Sequence, residues 1–153
     1  MEKKQSMNKA AAYNADFHAW ATESAALIRQ GRFAELDLNH IAEELESMGA
    51  SERRELQNRL QILLMHLLKR QFQPERRGKS WKLTIIHQRT AIERLLKQSP
   101  SLRRLLEDQE ELLDIYNKAV REAVLETDLE RHVFPLDCPY SVDELLDDGF
   151  WSD

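Results

Sequence analysis

Three groups of residues in this chain have the types and spacing for chemistry. The first is Asp37, His40 and Glu44, at i, i+3 and i+7, which places all three on one face of a helix. Two carboxylates and an imidazole suit a hard or borderline divalent metal. A plainer role competes with that one. Asp37 stands just before an apolar-periodic run, where a carboxylate caps a helix and acids complement its dipole. A di-iron bundle would need Glu-x-x-His on two helices, and no histidine here has Glu three residues earlier. No metal and no cofactor are therefore expected. Asp37, His40 and Glu44 are the ligands a metal would use.

The second group is Glu44, His66 and Arg89, which fall on three different expected helices at positions bordering or inside apolar stripes. Buried titratable groups of this kind can bind an anion or move a proton, because burial shifts their pKa values. The competing role is a hydrogen-bonded network that fixes helix register. No Ser, Thr or Cys nucleophile is paired with them in sequence. No catalytic residue is assigned on this basis, and the three stand as the cluster an enzyme would use.

The third group is a basic turn. Lys69, Arg70, Arg76, Arg77, Lys79 and Lys82 crowd together with Trp81, Phe72 and Gln73 between them, opposed only by Glu75. Basic and aromatic side chains together hold phosphates and stack bases, and they also form protein-binding hot spots. After Arg131 there is no Lys or Arg, while Asp137, Asp143, Glu144, Asp147, Asp148 and Asp153 accumulate. That acidic tail could pack on the basic turn of the same molecule. Cys138, flanked by Asp137 and Pro139, lacks the electropositive setting of a reactive thiol and reads as structural.

The elements that must position these groups are helices. Four Gly and four Pro in 153 residues leave few breakers, and the chain is rich in Leu, Glu, Arg and Ala. Residues 1–12 read as a flexible leader. A first helix starts at Asn14 or Asp16 and ends near Gln30, with Gly31 as its left-handed stop. Asp37 opens a second stripe through Ile41, Leu45 and Met48. Gly49 either bends this helix, letting the stripe run on through Leu56, Leu60, Leu63 and Leu67, or ends it so that Ser51 caps the next. A break or kink is favoured. From Leu60 to Leu68 apolar residues surround the helix, which places it at the centre of the bundle.

Pro74 and Gly78 mark the turn after it. Ser80 is the expected cap of a helix carrying Trp81, Ile85, Gln88, Ile92, Leu95 and Leu96. Ser99 and Pro100 then start one helix lined by Leu102, Leu105, Leu112, Tyr116, Ala119 and Ala123 and ending near Thr127. Pro135 and Pro139 mark irregular chain. Ser141-Val142-Asp143-Glu144 reads as a capping box, and Phe150 and Trp151 as anchors of the tail.

Composition bounds the rest. Hydrophobic residues are 42% and charged residues 32% of the chain, and the net charge of −5 argues against a general nucleic-acid binder. One cysteine allows no internal disulfide and suits a reducing cytoplasm. No apolar run approaches membrane-spanning length. The chain also resembles the bacterial domain of unknown function 29. The resemblance rests on His66-Leu67-Leu68-Lys69, Ser80-Trp81 with Arg89, Ser99-Pro100-Ser101-Leu102 and Cys138-Pro139-Tyr140, within about Tyr13 to Trp151. Arg70 departs from the aromatic residue common at that place. The resemblance implies a helical fold and no activity.

The expected fold is therefore all-α. A single domain over residues 13–153 holds four to five main helices in a mostly antiparallel bundle, with a short final helix and an acidic tail packed on it. The functional reading is a non-enzymatic cytoplasmic interaction module. It acts through Lys69, Arg70, Arg76, Arg77, Lys79, Trp81 and Lys82 on a protein partner of unassigned identity. A small-molecule or metal-dependent enzyme is the alternative, and weak nucleic-acid binding by the basic turn the second alternative. No membrane partner is expected, and oligomeric state is left open.

Overall fold

The computed structural model describes residues 12–153, so the expected leader lies outside the described residues except for Ala12. The described residues are helical with irregular connections and contain no strand. None of their helices is long and apolar enough to cross a membrane. The all-α expectation holds. Where the sequence reading has one domain from residue 13, the chain divides into two compact units, with the boundary between Ser51 and Glu52.

The first unit contains a helical turn at 12–15, helix α1 (Phe17–Arg29) and the opening of helix α2 (Leu38–Phe72). Asp16 caps α1 by accepting from the Ala19 amide at 3.0 Å. The helix ends as anticipated. Gly31 takes φ +72°, and the Arg32 and Gly31 amides return to the carbonyls of Leu27 and Ile28. Asp37 opens α2, accepting weakly from the His40 amide at 3.3 Å. Among the described residues of this unit, only Trp20 and Ser24 are buried.

Helix α2 continues for 35 residues without interruption. The expected break at Gly49 is not there. Gly49 sits inside the helix with open space where a Cβ would lie. Its cost in an exposed helix interior is about 1 kcal/mol, too little to stop a helix anchored by a buried stretch beyond it.

That stretch organises the second unit. Leu56, Leu60, Leu63, Leu64, Met65, Leu67 and Leu68 are all buried, so α2 is the central element here. Helix α3 (Lys79–Gln98) runs antiparallel to it: Arg59 bonds Gln88, and Glu52 bonds Gln98 and Ser99. α3 begins two residues earlier than expected, with Gly78 at the cap position and Ser80 inside the helix. Ser99 does not cap the next element with its side chain. Its hydroxyl goes to Glu52 instead, at 2.5 Å.

The single helix expected from Pro100 to Thr127 is two. Short helix α4 (Arg103–Glu107) stops at Asp108, whose extended backbone turns the chain. Asp108 then caps α5 (Gln109–Thr127) by accepting from the Glu110 and Glu111 amides. The carboxylate that reads as one more solvated charge is thus the breaker, because Asp satisfies orphan amides best from a cap. Helix α5 runs parallel to α2, with Gln57 on Glu111, Gln61 on Glu122 and Lys69 on Glu126. The final helix α6 (Val142–Leu146) has the expected capping box, with both reciprocal Ser141–Glu144 bonds present.

Candidate functional site

Three elements converge on the basic turn. The last turn of α2 supplies Lys69 and Arg70, and the first turns of α3 supply Lys79, Trp81 and Lys82. The segment after α6 brings Trp151, Ser152 and Asp153. Cations at the C-terminal end of α2 complement its dipole. Cations at the start of α3, which has no acid in its first turn, oppose theirs.

Most of the cations have definite company. Lys69 is buried, bonded to Glu126 at 2.5 Å, and lies 4.6 Å from the centre of the Trp81 ring. Arg70 pairs with Asp153 at 2.9 Å, and Arg77 approaches the same carboxylate at 3.6 Å. The Arg77 Nε also donates to the Arg70 carbonyl at 2.7 Å, satisfying one of the open acceptors at the end of α2. The Trp151 ring lies under three cations: Arg70 at 5.2 Å, Lys82 at 5.1 Å and Arg89 at 5.6 Å. Beside it the Ser152 hydroxyl donates to the Leu67 carbonyl at 2.6 Å. Arg76 and Lys79 are exposed.

This occupant is imperfect. An aromatic face attracts a cation but accepts no strong hydrogen bond. Arg70 Nε and Arg89 Nη1 are both buried, and neither finds an acceptor among the described residues. Orphaned guanidinium nitrogens are unusual in a folded interior. Here two of them belong to arginines stacked on one ring.

The other sequence candidates each engage different groups. Glu44 accepts the Tyr13 hydroxyl in the first unit. His66 Nδ1 engages the Ile62 carbonyl of its own helix at 2.9 Å, and burial lowers its pKa from the usual value. Arg89 donates to the carbonyls of Leu145 and Glu144 at 2.8 and 3.2 Å, tying α3 to α6. None of the three partners another. A cavity of about 450 Å³ is lined by Leu64, Leu112, Cys138, Val142 and Leu145, and none of the three lines it. Of the proposed metal ligands, Asp37 contacts His40 Nδ1 at 2.5 Å and the His40 ring stacks on Tyr13, while Glu44 is engaged by the Tyr13 hydroxyl. No group of three or more His, Cys, Asp or Glu among the described residues is arranged to hold a metal ion. The Cys138 thiol is pushed up by burial and donates to the Tyr140 carbonyl at 3.4 Å.

Residues 12–151 match the family described as domain of unknown function DUF29. The chain belongs to the DUF29 family. No curated protein and no solved structure matches it. The matched residues take in α1 through Trp151, including the basic turn, and end just before Ser152 and Asp153.

Sequence reasoning missed Glu126 and Ser152, which reach the basic turn from positions whose local sequence carries no signal for it, and it grouped Arg89 with Glu44 and His66 instead of with the basic turn. Trp151 was legible as an anchor, because an aromatic in a polar, acidic stretch needs a surface to bury it.

Proposed function

We propose that this protein is a non-enzymatic interaction module that binds an acidic, aromatic-containing segment of a partner protein on the basic face built by Arg70, Arg77, Lys82 and Arg89. The observation that carries this is the Trp151 ring under three cations, with two buried guanidinium nitrogens left without acceptors. Residues 151–153 act as an internal stand-in for the partner. They offer one carboxylate and one ring where a better ligand would offer further acceptors. Arginine suits such a ligand because its planar fork takes carboxylates in pairs. Exposed Arg76 and Lys79 extend the face and speed encounter with an acidic segment.

A direct test uses the protein's own sequence as the probe. A fluorescein-labelled peptide of residues 147–153 is titrated in trans into the intact chain and into a Trp151→Ala, Asp153→Ala double variant. Fluorescence anisotropy should show at least about tenfold tighter binding to the variant, whose face is vacated. Adding Arg70→Ala and Lys82→Ala should abolish it. Failure to bind the vacated face would remove the reading, and a single-stranded oligonucleotide bound in preference to the peptide would replace it with nucleic-acid recognition.

A further inference from the structure

The first unit carries a surface that the basic site does not explain. Along α2, Leu38, Ile41, Leu45 and Met48 recur at i, i+3, i+7 and i+10, one stripe about 15 Å long at the helical rise. Leu38, Leu45 and Met48 are 65%, 63% and 65% exposed, and Ile41 is half-buried. Phe17, Ile28 and Phe33 of the same unit are also exposed. A soluble helix seldom leaves a regular apolar stripe uncovered, and exposed apolar surface of this kind marks a docking site.

The charge around the stripe says what would cover it. Between Phe33 and Glu52 the chain has no Lys or Arg, and it has Glu35, Asp37, Glu43, Glu44, Glu46 and Glu52. Glu43 and Glu46 are exposed on the same stretch of helix as the stripe. A second copy of the chain would bring these acids against one another, and an anionic lipid surface would repel them. A helix with apolar residues at the same spacing and Lys or Arg on its flanks matches both the stripe and its rim.

We propose that the Leu38–Met48 face of α2 docks a basic amphipathic helix of a partner protein. This proposal does not rest on the basic site.

The test uses two synthetic 18-residue helical peptides with leucines at i, i+3, i+4 and i+7. One has lysine at the remaining positions and the other glutamate. Binding to the full chain is read by fluorescence anisotropy across a salt series. The lysine peptide should bind and the glutamate peptide should not. A Leu38→Ser, Leu45→Ser, Met48→Ser variant keeps every charge and should bind the lysine peptide at least about tenfold more weakly. Circular dichroism checks that this variant keeps its helices. Glu43→Gln with Glu46→Gln, which leaves the stripe intact, should weaken binding and flatten its salt dependence. Equal binding to the wild type and the serine variant would overturn the proposal, since charge alone would then account for it. No binding to the wild type would also overturn it. So would a dimer in sedimentation that the serine variant dissociates, because the occupant would then be a second copy.

Discussion

One helix has two fates. In its first third, Leu38, Leu45 and Met48 form a stripe that is roughly two-thirds exposed. Further along, Leu56, Leu60, Leu63 and Leu67 continue the apolar pattern and are completely buried. The pattern and the residue types are alike, and the helix between them is unbroken. The difference lies in what meets the stripe. Within the second unit, α3, α4, α5 and α6 contribute buried side chains to the same core as α2, whereas Trp20 and Ser24 are the only buried residues among those described in the first unit. Amphipathic spacing therefore settles that a segment is helical. Burial depends on whether enough apolar area arrives from elsewhere to offset the ordering entropy.

The comparison breaks most readily at the core. Leu63→Ala should cost about 2–5 kcal/mol in urea unfolding, because it leaves a cavity among fully buried neighbours. A value under about 1 kcal/mol would mean the second unit is as loosely packed as the first. Trp151→Ala should cost less, about 1–3 kcal/mol, since the ring is only half-buried and its cations can turn to solvent.

His66 sharpens the contrast through pH. Burial holds its pKa below the ordinary 6.5. The unfolded chain therefore takes up the proton first as pH falls, and the folded state loses stability from about pH 6.5 downward until the folded imidazole protonates. Unfolding free energies measured between pH 7.5 and 5 should fall more steeply for the wild type than for His66→Gln. Parallel curves would mean that His66 is solvated in solution. The smallest effect is expected in the exposed stripe: Leu45→Ala should stay within about 0.5 kcal/mol of the wild type. A larger loss would show that the stripe is covered within the molecule.

The fold was legible wherever one local signal dominated. Gly31, the Ser141–Glu144 box and the all-round apolar run before Phe72 each act through neighbours within a few residues. Gly49 and Asp108 were harder for opposite reasons. A helix tolerates a glycine when tertiary packing anchors the chain beyond it, and Asp108 acts as a breaker only because its carboxylate finds two amides to cap. The site was half legible. Charge segregation exposed the basic turn and the acidic segment that meets it. It could not say that Asp153 alone of the late acids pairs with Arg70 and Arg77, or that Glu126 holds Lys69. For Glu44, His66 and Arg89, residue type on an apolar face announces a polar group that needs a partner, but not which one: Glu44 has the Tyr13 hydroxyl, His66 the carbonyl of Ile62 and Arg89 the carbonyls of Glu144 and Leu145.

In the proposed function, residues 151–153 occupy a face that serves a partner's segment. The most direct measurement follows the Trp151 indole N–H signal by NMR as an unlabelled acidic, aromatic peptide is added to the intact chain. Displacement predicts that the signal moves to the position of a solvent-exposed tryptophan, with the same Kd as peptide binding. A peptide that binds while the Trp151 signal stays in place would contradict the account.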